Sequence, residues 1–361
     1  MQMSRSYKPT QTSSLFPEEF RLQKLTKQGD PLERLNKVIQ WDFFRETVEG
    51  VIPTERLVNS GPKPYDPLLM FKILILQRYY NLSDEQIEFQ ILDRLTFCRF
   101  LGLSMNDKVP DEKTVWNFRD KVIIKGIDKQ LFNLFEELLD KEGLIAHEGK
   151  IIDASFVIAP RQRNSREENK QIKEGVTPQE WKNSPNKLRQ KDVDARWTKK
   201  NNENFYGYKN HIKVDNKYKF IETQTTTSAS VHDSQALDDL LTSKDEGQDL
   251  YADSAYTGKN QKVTIKKYKV NNKVHEKGHK NNPLTEYQKV CNKNKSKIRV
   301  RVEHVFGFME QSMNKLYVRS IGEKRAEGYV SMVNLTYNLF RYEQIHRIKG
   351  ITMSNWQQIK T

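Results

Sequence analysis

The sequence predicts an α+β molecule: an all-helical N-terminal domain followed by a mixed β-sheet core covered by helices. Three observations carry this. Between Pro67 and about Lys141, apolar residues recur at three- and four-residue spacing. At Gly149 the texture changes to short β-rich runs, GKIIDASFV, FYGYKNHIKV and FIETQTTTSAS. From about position 285 the helical spacing returns. Strand, hairpin, helix, strand and helices, in that order, describe a sheet with helices packed on it.

Residues 1–60 are an arm and lead-in, the first 30 or so a flexible polar arm. Residues 61–148 form the helical module. PLLMFKILILQRYYNLS starts a helix at Pro67, and SDEQ opens the next with a Ser83–Gln86 capping box, the run ending near Gly102. Asp111 or Thr114 caps a third helix with Val115, Phe118 and Val122 on one face, and a last helix spans about 127–141. The module either reads DNA or serves as a dimerisation bundle, and its helix-turn-helix spacing, only suggestive, does not say which helix would enter a groove. Residues 149–345 form the sheet domain, which includes a basic, polar stretch over 159–204, and 346–361 is a C-terminal tail. Within that domain FYGYKNHIKV and FIETQTTTSAS make a hairpin about DNKYK, and VHDSQALDDLLTS reads as a helix with Asp233 as its cap or a turn acid. DLYADSAYTG is a short strand that turns at Tyr256 and Gly258. The longest helical pattern runs over about 285–316, and KRAEGYVSMVNLTYNLFRYEQIHRI closes the domain.

Lys and Arg outnumber Asp and Glu by 61 to 47, a net charge of +14 that favours a polyanionic partner, nucleic acid foremost. The mean hydropathy of −0.82 fits much solvated or DNA-facing surface. The two cysteines form no CxxC motif, so a disulfide framework or structural zinc site is not expected. No apolar run approaches 18 residues, and the N-terminus MQMSRSYKPTQTSS lacks an apolar signal core. The expectation is a cytoplasmic protein with no membrane partner.

Asp153 sits inside the apolar run IIDASFV, where a carboxylate costs several kcal/mol to desolvate unless something binds it. Asp253 occupies a comparable place in LYADSAYTG. Glu303 lies beside a stripe of Ile298, Val302, Val305, Met309, Met313 and Leu316, about 100° from Val302 and one turn beyond Arg299. Two strand acids and one helix acid make an oxygen-rich set for hard cations. Two Mg²⁺ ions held about 3.5–4 Å apart suit in-line phosphoryl displacement. The alternatives stay open at this point: a hydrogen-bonded strand Asp, and a surface ion pair of Glu303 with Arg299 or Arg301.

At these residues the chain resembles bacterial DDE transposases of insertion sequence family five. IIDASFVIAPRQRNSREENK, KLRQKDVDARWTKK, YGYKNHIKVD, VHDSQALDDLL, YADSAYTG and RVRVEHVFGFME are similar to successive blocks of that family's catalytic part, and the helical segment before them to its N-terminal domain. The resemblance implies a ribonuclease-H-like core with Asp153, Asp253 and Glu303 as catalytic, metal-binding acids. It implies two Mg²⁺ ions, for which Mn²⁺ can substitute, and cleavage at element ends followed by transfer of 3′-hydroxyls into target DNA. DNA would be the partner, as terminal inverted repeats and target, within a homodimer or larger synaptic complex at the nucleoid. The wider family pattern is Tyr, two residues, Arg, three residues, Glu, six residues, Lys. This chain keeps Arg299 and Glu303 but has Ser296 and Glu310 at the Tyr and Lys positions, with Arg301 or Lys315 as replacement bases. A catalytically inactive end-binding protein and a structure-selective nuclease are therefore the competing functions.

The candidate DNA contacts are Arg161, Arg163, Arg196, Trp197, Lys199, Lys200, Lys209, Arg299 and Arg301. Trp197, in a polar segment, suits stacking on a splayed base, whereas Tyr206 and Tyr208 are either DNA-facing or core. His211 and His232 either support the acids from behind or make structural hydrogen bonds. His275 and His279 read as basic loop surface.

Overall fold

The computed structural model describes residues 17–52, 63–200, 202–280, 282–350 and Trp356. Helices begin at once: α1 (Pro17–Gln28), α2 (Pro31–Val38) and α3 (Arg45–Glu49). Of the expected flexible arm, residues 1–16 lie outside the described residues, and the part from Pro17 on is helical. The cause is local: Asp30 caps α2 through Leu32 N, Pro31 presets the first turn, and Leu32, Leu35, Phe44 and Val48 are completely buried. The expected boundary at 60/61 also lies outside the described residues.

Five helices follow: α4 (Pro67–Tyr79), α5 (Asp84–Asp93), α6 (Leu95–Leu101), α7 (Glu112–Ile124) and α8 (Ile127–Lys141). Asp66 and Asp111 cap α4 and α7, and the Ser83–Gln86 capping box is present on α5. Arg94 is extended and divides α5 from α6, which ends on Gly102 in the left-handed region at φ 76°.

The sheet domain opens with β1 (Lys150–Ile158). Three short helices, α9 (Arg166–Lys173), α10 (Gln179–Lys182) and α11 (Pro185–Arg189), then lead to β2 (Arg196–Lys200). The hairpin is β3 (Glu203–Asp215) and β4 (Ile221–Ser228). Next come α12 (Leu237–Leu240), β5 (Asp249–Tyr251), α13 (Lys259–Lys267) and β6 (Asn271–Asn272). The order is β2-β3-β1-β5-β6, with β4 on β3; β1 runs antiparallel to β3 and parallel to β5. It is the expected mixed sheet.

Two sequence expectations are corrected here. VHDSQALDDLLTS forms a 3₁₀ turn and the one-turn α12, capped by the His232 ring rather than by Asp233. The pattern over 285–316 breaks at Val300 into α14 (Glu286–Arg299) and α15 (Arg301–Gln311). The longest helix is instead α16 (Glu323–Lys349), 27 residues buried along most of its length. The predicted stripe nevertheless holds, with Val302, Val305 and Met309 fully buried and Met313 and Leu316 following them inward after the helix ends.

The helical half has no separate core. One apolar cluster runs from Leu32 through α4, α8 and α16 to Val214 and Ile221 of the sheet. Tyr79 stacks on Phe340 with centroids 3.8 Å apart, and Trp356, from the tail, packs among Phe43, Phe44, Phe135 and Tyr342. A smaller cluster of Ile152, Leu237, Leu240, Tyr256 and Ile265 fills the other sheet face. Among the described residues no helix is long and apolar enough to cross a membrane.

Candidate functional site

Strand alternation sends Ile151, Asp153 and Ser155 to one face of β1 and Lys150, Ile152 and Ala154 to the other. Asp153, opposite Ile212, is the polar residue between Ile152 and the partly buried Ala154. One of its carboxylate oxygens accepts from Ala154 N at 2.8 Å, and the other accepts from Arg299 Nη1 at 2.7 Å. Arg299 ends α14, and its Nη2 lies 3.6 Å from Glu303 in the first turn of α15. One guanidinium at the α14–α15 junction thus faces both acids. Its Nε is buried with no hydrogen-bond partner.

Asp253 follows β5, which pairs with β1, and caps a 3₁₀ turn through Ala255 N at 2.8 Å. Burial pushes the Asp153 carboxyl above the ordinary carboxylate range and Asp253 adds repulsion, against the pull of Ala154 N–H and Arg299. Asp153 and Asp253 are therefore close enough to repel, while Arg299 joins Asp153 to Glu303. Among the described residues, no three His, Cys, Asp or Glu side chains stand ready as a metal cluster. Still, the three side chains are all carboxylates, Asp153 is buried enough that its carboxyl is raised, and Arg299 already pairs with it. Those three features fit a hard divalent ion.

The predicted DNA contacts divide into two groups. Arg161, Arg163, Lys199 and Lys200 are exposed. So is Trp197, whose ring lies 5.1 Å from Tyr206 and under the Arg161 guanidinium at 5.6 Å. Tyr206 and Tyr208 are core residues, and Tyr208 donates to the buried Asp192 at 2.8 Å.

Three others are corrected. Lys209 is buried, its ammonium 2.7 Å from Asp233 and 2.7 Å from Val231 O. Arg196 donates to the carbonyls of Val193, Ala195 and Ile172, which fastens the basic stretch to its own helix α9. Arg301 donates to Asn216 O and Oδ1. Only Lys209 meets an acid, but in each case turning the side chain outward would forfeit those bonds.

His211, opposite Ala154, is completely buried, with Nε2 2.8 Å from Thr227 Oγ1. Burial pushes it down to about 4, against the opposing pull of Asp233, so the ring is neutral near pH 7. His232 is exposed and bonded to Ser234 at 2.8 Å. His275 was the residue missed. Its backbone N–H donates to Ala252 O at 3.1 Å and its Nε2 lies 3.3 Å from Ser296 Oγ, so this half-buried loop residue sits beside Asp253. The alternation in NNKVHEK was the available signal, masked by the surrounding lysines.

Two family models match this sequence, one on the helical half and one on the sheet domain. A family model described as a transposase domain (DUF772) matches residues 20–121. The solved structure of a piggyBac transposase synaptic complex with hairpin DNA is similar over 90% of this chain and 75% of that one, loosely, at 11% identity and a TM-score of 0.42. A second family model, the transposase DDE domain, matches residues 146–339, more than half of the sequence and the whole span holding Asp153, Asp253 and Glu303. The chain belongs to the DDE transposases, enzymes of divalent-metal-dependent polynucleotidyl transfer on DNA.

Proposed function

We propose that Asp153, Asp253 and Glu303 are the three catalytic acids of this transposase. They hold two Mg²⁺ ions, with Mn²⁺ as a substitute, cleave at the element's ends and join the 3′-hydroxyls to target DNA. The observation that carries this reading is the Asp153–Arg299–Glu303 bridge, a site built for positive charge where β1 meets the α14–α15 break. When bound, the ions would neutralise the phosphodiester and favour both the attacking and the leaving oxygen.

The chain's own residues do the positioning. Ala154 N–H and Ala255 N–H orient Asp153 and Asp253. Arg299 pairs with Asp153 and lies near Glu303, and it would be free to meet a DNA phosphate where a metal took its place. Arg161 and Trp197 offer a cation and a ring to a splayed base. Two ends must be joined, so the working form is a homodimer or larger assembly, acting at the nucleoid.

The test is cleavage and joining on a duplex carrying the element's end. In Mg²⁺ the protein nicks and then joins; Asp153→Asn lowers nicking by about 10³-fold or more, some 4 kcal/mol of transition-state stabilisation, while duplex binding persists. Unchanged nicking by that variant removes Asp153 from the mechanism. A second reading, end-binding without cleavage, rests on Ser296 and Glu310. It is the correct one if the duplex is footprinted but never nicked in Mg²⁺ or Mn²⁺. Nicking without joined products would indicate a structure-selective nuclease.

A further inference from the structure

Beyond the three acids, a cleft of about 450 Å³ opens beside Asp253, with Thr257, Lys262, His275, Lys277 and Lys295 among its lining residues. Its floor is set by the sheet. β6 runs parallel to β5, and the chain keeps that register past the strand's end, with Lys273 N donating to Leu250 O at 2.9 Å and His275 N to Ala252 O at 3.1 Å. The cleft therefore begins one residue from Asp253, and Thr257 closes it four residues beyond. From α14, Lys295 crosses to Val274 O at 3.0 Å, and Ser296 meets His275.

The charge is one-sided. Three ammonium groups face one carboxylate, Glu276, which lies 3.8 Å from Lys295 and already accepts from Gln288 at 2.6 Å. Lys262 and Lys277 are exposed and have no acidic partner among the described residues. On the far side of the acids Arg301 is held by Asn216 and Glu310 is an exposed acid, while the exposed Lys200 acts on Asp153.

We propose that this cleft is a subsite for a backbone phosphate of the DNA end, flanking the phosphate under attack, with Lys262 and Lys277 as its principal ligands and Lys295 as its inner wall. The inference rests on the assignment of Asp253 to the reaction centre. Lysine suits the role because it meets phosphate as a point charge and needs no fixed fork geometry. The contact adds affinity and register rather than sequence information.

The experiment uses full-length protein carrying Asp153→Asn, so that the duplex stays uncut, and a set of end duplexes in which one phosphate at a time near the scissile bond is replaced by neutral methylphosphonate. Affinities are read by fluorescence anisotropy. The expected result is one position at which charge removal weakens binding several-fold. Adding Lys262→Gln and Lys277→Gln weakens binding of the unmodified duplex by a similar factor, makes that methylphosphonate silent, and lowers the salt slope by about one to two. Lys295→Gln, made separately, weakens the same position. A methylphosphonate profile unchanged in the lysine variants overturns the proposal, as does unaltered affinity. Its failure is distinct from failure of the catalytic assignment, which is read as nicking by the wild-type chain in Mg²⁺.

Discussion

Strands β1 and β3 carry carboxylate–cation pairs on both faces of the sheet, and the two faces treat them oppositely. On one face Lys150 meets Glu222 at 2.6 Å and Lys213 meets Asp245 at 2.7 Å, all four side chains nearly inaccessible to solvent. Lys209 and His211 continue that row toward Asp233 and Thr227. On the other face Asp153 meets Arg299 at 2.7 Å, but Arg299 and Glu303 are 23% and 60% exposed. The closed pairs are shut off from solvent, although one Asp245 oxygen is left without a hydrogen-bond partner. The open pair is held by a side chain at a helix end, next to a second acid and within reach of water. A charge pair that is sealed serves the fold, and one left ajar can exchange its cation.

The largest expected difference is in stability. Lys213→Met leaves the fully buried Asp245 without its cation, and removing one partner of a buried pair costs about 3–5 kcal/mol. Asp153→Asn should shift the unfolding free energy by under about 1 kcal/mol, because the amide sheds a desolvation cost as it loses Arg299. Urea unfolding of both variants decides. If Asp153→Asn proves as destabilising as Lys213→Met, the open pair is structural and the contrast fails.

The next effect is a pH dependence on the sealed face. Burial pushes Glu222 up to about 7, against the opposing pull of Lys150 and Lys213. The folded state then binds more protons at this site than the unfolded chain between its ordinary value of 4.5 and about 7, so this contribution to stability is present at low pH and lost as pH rises through that window. The stability of the wild type minus that of Glu222→Gln should fall by about 1–3 kcal/mol from pH 4.5 to 8. A flat difference would mean that Lys150 holds Glu222 ionised throughout.

This division was only partly legible in the sequence. Asp153 stood out because a lone acid broke an apolar strand. Lys150, Lys213 and Glu222 drew no notice, since their partners lie across the sheet or in a 3₁₀ turn at Ser243–Asp245, and no local spacing records such pairings. Helix starts were readable at Pro67, Ser83 and Asp111 because such signals act within two or three residues. The break at Val300 was not, because the apolar stripe runs on across it. Lys209, Arg196 and Arg301 misled for the same reason: a basic side chain in a basic segment looks solvent-facing until its long-range partner is known.

The smallest effect is the sharpest test of the open side. The Arg299–Glu303 contact spans 3.6 Å between a partly exposed guanidinium and an exposed carboxylate, four residues apart. Solvent screening and side-chain entropy hold such a pair to about 0.5 kcal/mol or less. Glu303 also gains a few tenths of a kcal/mol from its place in the first turn of α15, with or without Arg299. A double-mutant cycle of Arg299→Gln and Glu303→Gln, read by urea unfolding, should therefore give a coupling energy of about 0.5 kcal/mol or less. A coupling above about 1.5 kcal/mol would mean that Glu303 is clamped into the fold as firmly as Asp245 is. Glu303 could then not turn toward a cation shared with Asp153, and the exposed acid would belong with the sealed pairs.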